Sequence, residues 1–195
     1  GVQLKWLAPT DTFLEFGMEA GAKAPGAEGR GNGVGAWTAF AHAGGDIGAS
    51  HSWRAGLSYL HGRPMARAGH WEDMNADEVE TEFEGTSKTW VADLVWKWAP
   101  DGNPAARNLT VQAEWFRRRE TGDLSCVDGL CGSGSTDAYN SRQSGWYAQA
   151  VYQFMPAWRV GLRYDRLDTG HVDFGTINGP LLDAPAFDPS RVSLM

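Results

Sequence analysis

The stretch Lys88–Pro100, KTWVADLVWKWAP, separates into two sets when every second residue is taken. Trp90, Ala92, Leu94, Trp96 and Trp98 make one set, and Val91, Asp93, Val95 and Lys97 make the other. Successive side chains of a strand point to opposite faces, so this is a strand with one apolar face, tryptophan near both its ends, and one face carrying an acid and a base. The fold turns on which face is the inside.

The same alternation recurs along the chain. Val2, Leu4 and Trp6 oppose Gln3 and Lys5, and Leu14, Phe16 and Met18 oppose Glu15, Gly17 and Glu19. Trp53, Ala55, Leu57 and Tyr59 oppose Arg54, Gly56 and Ser58. Leu109, Val111, Ala113 and Trp115 oppose Thr110, Gln112, Glu114 and Arg118. Trp146, Ala148, Ala150, Tyr152 and Phe154 oppose Gln149 and Gln153, and Trp158, Val160, Leu162 and Tyr164 oppose Arg159, Gly161, Arg163 and Asp165. GAWTAFAHAGG fits as a further strand. The reading is about eight strands of roughly ten residues each, with RVSLM opening a ninth. The connections alternate as well. PTD, GGDIGAS, APDGNPAAR and MPA read as tight turns. Residues 22–34, 63–85, 121–143 and 169–190 read as long polar loops. Short and long connections in alternation are those of an up-and-down meander with tight turns on one rim.

Two architectures share this pattern. In a soluble sandwich or barrel the apolar face is the core. In a membrane barrel it faces lipid and the polar face lines a lumen. Strands of about ten residues match the length a tilted strand needs to cross a bilayer. Aromatic residues sit at both ends of the apolar rows: Trp6, Trp53, Trp98, Phe154 and Trp158 near the short turns, and Tyr59, Trp90, Trp146 and Tyr164 near the long loops. Their amphipathic rings suit two bilayer interfaces. The expected fold is therefore all-β: an antiparallel up-and-down transmembrane β-barrel. Residues 1–195 would form a single β-barrel domain, a segment of about eight to nine strands from a larger barrel, because single-chain bacterial barrels have an even count.

LKWLAPTDTFLEFG, GGDIGASHSWRAGLSYL, VADLVWKWAPDGNPAARNL and QSGWYAQAVYQFMPAWRVGLRYDRLD resemble bacterial outer-membrane proteins described as zinc-regulated TonB-dependent receptor-like, or porin-like, barrels. The resemblance covers strands and short turns and leaves out the long loops. It implies an outer-membrane location, transport of a small solute, contact with the lipid bilayer and, for a receptor, a TonB-type coupling protein. The chain shows neither the plug domain nor the TonB box of such receptors.

Under this reading Lys5, Glu15, Glu19, Arg54, Asp93, Lys97, Glu114, Arg118, Arg159, Arg163 and Asp165 line the lumen. They would either guide solute and water by local field or hold the wall together as salt bridges. Cys126 and Cys131, in a long loop exposed to an oxidising compartment, read as a disulfide. The loop 63–85 combines His61 at its edge and His70 with many carboxylates. It would serve as a divalent-metal site or, more simply, as a solvated acidic loop. His42 and His51 lie near short turns and read as structural. A net charge of −7 argues against nucleic acid. With no Ser–His pair near the outer rim, no enzyme is expected. The alternative function is a structural or adhesive barrel whose loops bind partners.

Overall fold

The computed structural model describes residues 1–23, 34–72, 75, 77–127, 136–175 and 188–195. It contains ten antiparallel strands: β1 Val2–Leu7, β2 Phe13–Gly21, β3 Ala36–Ile47, β4 His51–Gly62, β5 Arg67–Glu72, β6 Glu78–Trp98, β7 Asn108–Cys126, β8 Thr136–Met155, β9 Trp158–Asp173 and β10 Ser190–Leu194. Nine form one meander in sequence order, β1-β2-β3-β4-β6-β7-β8-β9-β10, and β5 pairs β6 alone. The sheet is open. Its edges, β1 and β10, run in the same direction because an odd number of alternating strands separates one direction from its repeat. Among the described residues there is no α-helix, and a short 3-10 turn spans Pro100–Gly102.

Strand lengths depart from the sequence reading. β6 has 21 residues, β7 19, β8 20 and β9 16. Two of the expected loops, 63–85 and 121–143, are thus largely strand. β4 ends with Gly62 opposite Ser87, and β5 begins with Arg67 opposite Phe83. β5 is therefore β4 continued after a bulge at residues 63–66. Pro64 lacks the amide a ladder requires, and Ala66 adopts a positive φ of 48°. Alternation is hard to see here in sequence because Pro64 and the polar composition read as loop.

The turns at 8–12, 48–50, 99–107 and 156–157 lie at one end. In register terms the first begins at the level of Val95, the second at Trp98, and the last beyond Gln153, which is opposite Asn108. This is a step of about one residue per strand. With strands about 4.8 Å apart and residues about 3.3 Å apart, a level rim then requires strands tilted by about 35°.

Each long strand exchanges the character of its two faces along its length. On β6, the face bearing Trp90 carries Glu78, Glu80, Glu82 and Glu84 in its first half and Trp90, Leu94, Trp96 and Trp98 in its second. The face bearing Asp93 does the opposite: Val79, Thr81 and Phe83 are buried, and Asp93 and Lys97 follow. In the first half the Asp93 face holds the one buried apolar cluster among the described residues: Val79, Phe83, Leu124, Cys126, Tyr139 and Phe174, with Trp71 and Val172 against it. Phe174, just past β9, is fully buried and meets Trp71 edge-on at 4.8 Å. In the second half the apolar residues lie on the other face and are uncovered: Leu57 is 50% exposed, Trp90 and Leu94 45%, Trp115 and Trp146 41%. The exchange falls at the Gly85–Gly122 pair. A methyl group on either glycine would overlap the opposite backbone, so the two strands touch here more closely than any larger residue permits.

The two halves should respond oppositely to parity. Phe83→Ala should cost about 3–5 kcal/mol as a cavity in the buried cluster, and Glu82→Ala should change stability by less than about 0.5 kcal/mol. Denaturant unfolding of the full-length protein measures both. Equal losses would mean that the buried face of the upper sheet is misassigned.

Candidate functional site

The register brings all eleven charged residues of the expected lumen row onto the Asp93 face. One row crosses the whole sheet: Leu7, Glu15, His42, Gly56, Asp93, Glu114, Tyr147, Asp165 and Arg191. The row below runs through Arg54, Val95, Gln112, Gln149 and Arg163.

Two hydrogen-bonded groups occupy these rows. In the first, His42 lies between two carboxylates, its Nδ1 3.4 Å from Glu15 and its Nε2 3.9 Å from Asp93. Gly56 lies between His42 and Asp93 in the row, and any side chain there would overlap both. Arg54 approaches Asp93 at 3.9 Å. His42 is thus mid-strand and part of the polar face, not a structural residue of a turn; β3 extends further than its Gly-rich sequence indicates. In the second group Arg163 lies 3.8 Å above the Tyr147 ring, donates to Asp165 at 2.6 Å and donates to Gln149 at 3.2 Å. Gln149 donates to Gln112 at 3.0 Å, and Gln112 donates to the Tyr147 hydroxyl at 3.2 Å. Arg191 reaches Asp165 at 3.5 Å. His42, Gln112, Tyr147 and Gln149 escaped the sequence reading because it selected charge; their parity on the polar rows was the available signal.

Glycine shapes this face too. The Phe40 ring covers Gly17 and the Phe116 ring covers Gly145, so both rings lie against the neighbouring strand. The Lys5 ammonium stands 5.5 Å from the Phe40 ring. The arrangement offers donors and acceptors of both signs to a polar solute. It presents no nucleophile with an adjacent base, the pairing covalent catalysis needs.

Above these rows the Asp93 face holds a buried ion cluster that sequence reasoning missed. Arg67 clamps Glu120 with two hydrogen bonds of 2.7 Å, and Arg118 donates to the same carboxylate at 2.9 Å. Glu120 is 1% exposed. Burial alone would raise its pKa. The Arg67 hydrogen bonds, with the charges of Arg118 and Arg67 and a bond from Ser87, outweigh burial and hold it below the usual carboxylate range. The same pairing raises Arg67, and burial pushes the Tyr139 phenol up. Arg67 was hidden in an expected loop and Glu120 at the end of RRRE.

Among the aromatic residues expected at the interfaces, Trp6, Trp53, Tyr59, Trp90, Trp98, Trp146, Phe154, Trp158 and Tyr164 all fall on the Trp90 face by register and strand parity. Tyr59 packs on Trp90 at 4.6 Å and Trp146 on Tyr164 at 5.2 Å. Trp90 and Trp146 are mid-strand rather than beside loops, because β6 and β8 continue well past them. His61 and His70 are not brought together: they pair with Lys88 and Glu80, eight residues apart on β6, or about 26 Å. His61 stacks on Trp37, and His70 lies 2.9 Å from Glu78. Among the described residues no three His, Cys, Asp or Glu side chains are grouped to hold a metal. Cys126 is disulfide-bonded; Cys131, its expected partner, lies outside the described residues.

No family model matches the chain, and no solved structure matches it. It is similar to an uncharacterized protein of Aquifex aeolicus (strain VF5), 29% identical over 202 aligned residues. The match covers 95% of this chain and 39% of that protein, so the chain spans well under half the length of the curated relative.

The buried cluster sets a pH dependence. A carboxyl depressed by folding stabilises the fold above its unfolded pKa, and that contribution is lost as pH falls through the folded value. The upper sheet should therefore weaken on acidification below the ordinary carboxylate range. Glu120→Gln should cost about 3–5 kcal/mol at neutral pH by leaving Arg67 unpaired, and it should flatten this acid limb. Hydrogen exchange of β5–β8 amides against pH reports both; an unchanged acid limb in the variant would remove Glu120 as its source.

Proposed function

We propose that this sheet is part of the wall of a membrane-spanning β-barrel in the bacterial outer membrane, with the Trp90 face toward lipid below the Lys88–Arg119 row and the Asp93 face lining a polar lumen that passes a small solute. The observation that carries the reading is the exposed apolar face beside a hydrogen-bonded polar one. A buried Leu, Val or Phe side chain gains about 1.5–3 kcal/mol relative to water. A sheet whose uncovered face repeats such residues on nearly every strand needs an apolar solvent. The stagger of about one residue per strand is the shear that barrel closure requires.

β1 and β10 run in the same direction, so pairing them directly would make one parallel seam. An odd number of further strands between them keeps the wall antiparallel throughout, as in single-chain bacterial barrels. Energy coupling through a TonB-type partner would need elements outside the described residues. The second reading is a structural or adhesive barrel. It is favoured by one observation: the apolar cluster around Phe83, Tyr139 and Phe174 occupies the Asp93 face above the polar rows, where an outer mouth would be.

The full-length protein in planar bilayers separates the two readings. A transport barrel gives ion conductance, and Arg163→Glu shifts its selectivity toward cations by reversing a charge on the polar face. Stable insertion without conductance supports the structural barrel.

The lipid-facing assignment has its own test in folding stability into vesicles. Leu94→Arg should cost about 2–4 kcal/mol near the midplane, and Trp98→Arg about 0–1 kcal/mol at the interface. Val95→Arg, on the row of Arg54 and Arg163, should cost less than Leu94→Arg. A water-soluble core would instead make Trp98→Arg cost several kcal/mol. Equal costs at positions 94 and 95 would reverse the face assignment.

A further inference from the structure

Immediately past the aromatic rows, the Trp90 face carries cations on successive strands. One register row reads Trp37, His61, Lys88, Arg119, Arg142 and His171. Arg117, opposite Trp90, lies one row nearer the aromatic residues. Lys88, Arg117, Arg119 and Arg142 are exposed. None of these four has an ion pair or side-chain hydrogen bond among the described residues. Lys88 faces Arg119 directly, and Arg119 faces Arg142 directly. Like charges directly opposite each other destabilise a sheet. A chain with net charge −7 has acids enough to separate them. Instead, the acids nearest the row on this face are Glu84 and Asp123 two rows above, Asp173 one row above on β9, and Asp168 one row below on β9, two strands from Arg117.

The row between the cations and those upper acids is neutral and polar on β6–β8, Thr86, Thr121 and Asn140, and ends on β9 with Asp173. Beside it the bulge forms an open groove of about 450 Å³, lined in part by Arg63, Met65, Thr86 and Thr121, with Glu84 and Asp123 also on its wall. Burial and the positive charges of Arg63 and Lys88 together hold His61 below the usual imidazole range.

We infer that the Lys88–Arg119–Arg142 row, with Arg117, is a docking surface for phosphate-bearing lipid headgroups of the leaflet that borders the aromatic rows. The inference rests on the membrane reading above. The order along the strands is aromatic, cationic, hydroxyl, acidic. This is the order of environments met on leaving a bilayer: interface, phosphate, headgroup hydration, water. Three adjacent strands place the three cations within about 10 Å. Their guanidinium and ammonium groups suit phosphate oxygens by charge-assisted hydrogen bonds. A headgroup phosphate would relieve the cross-strand repulsion, which no ion pair among the described residues relieves.

The test uses the full-length protein folded into phosphatidylcholine vesicles, with and without phosphatidic acid as the phosphomonoester probe. Lipids retained after extraction in neutral detergent are counted by native mass spectrometry. The wild type should retain phosphatidic acid in preference to phosphatidylcholine. Arg119→Gln should reduce that enrichment about fivefold, and Arg119→Gln with Arg142→Gln about fivefold again. Both variants should still insert into pure phosphatidylcholine, which reports folding independently. No enrichment in the wild type, or enrichment unchanged in the double variant, overturns the inference and leaves the membrane reading standing. Displacement of the lipid by inorganic phosphate at equal concentration overturns it in favour of a free-anion site. Failure of the wild type to insert into any vesicle overturns the membrane reading and this inference with it.

Discussion

A strand offers its side chains two directions and no more, and pairing on both sides fixes which residue takes which. That constraint governs the whole sheet. Once Asp93 is opposite Glu114 and Gly56, every charged side chain of the lower rows has its face assigned, and so has every tryptophan. A slip of one residue would exchange the faces. Because both faces are chemically marked along nearly every strand, such a slip has no compensating position, and the register is strongly specified.

The same constraint explains the middle of the long strands. A strand cannot rotate its side chains along its length, so a change in what its faces meet must appear as a change of composition. β6 does so between Glu84 and Trp90, and β7 between Asp123 and Trp115. At that level the Asp93 face passes from polar to apolar. The groups that bridge the change are the Gly85–Gly122 contact and the Glu120 carboxylate held by Arg67 and Arg118. The glycines bring the strands together, and the ion cluster satisfies the charge that the narrowing buries. Phe174 and Trp71 then cover the apolar side above.

Much of the lower sheet was legible in the sequence because period two is easily read where one set is aromatic or aliphatic and the other charged. Trp90, Leu94 and Trp98 against Asp93 and Lys97 is such a case. The upper sheet was not legible as strand. In Glu78–Glu84 the alternation is present, but its apolar members face inward while its acids look like a solvated loop. Pro64 and the one-residue bulge interrupt the periodicity between β4 and β5, which hides Arg67. Of the polar face, the charged members could be read from parity. The His42 bridge could not, since it depends on Gly56 leaving room between two strands that are not adjacent to each other's partners in sequence. The cationic row was also invisible: Lys88, Arg119 and Arg142 become neighbours only through pairing of β6, β7 and β8.

In the proposed membrane setting the Trp90 face of β6 changes solvent between Glu84 and Trp90. Nitroxide scanning along β6 in lipid vesicles of the full-length protein measures this directly, through collision with oxygen, which favours lipid, and with a water-soluble nickel chelate. Chelate accessibility is expected at positions 80, 82 and 84 and oxygen accessibility at 90 and 94, with the change centred near Lys88. Chelate accessibility at all five positions, or the same low accessibility to both reagents at 90 and 94, would contradict it.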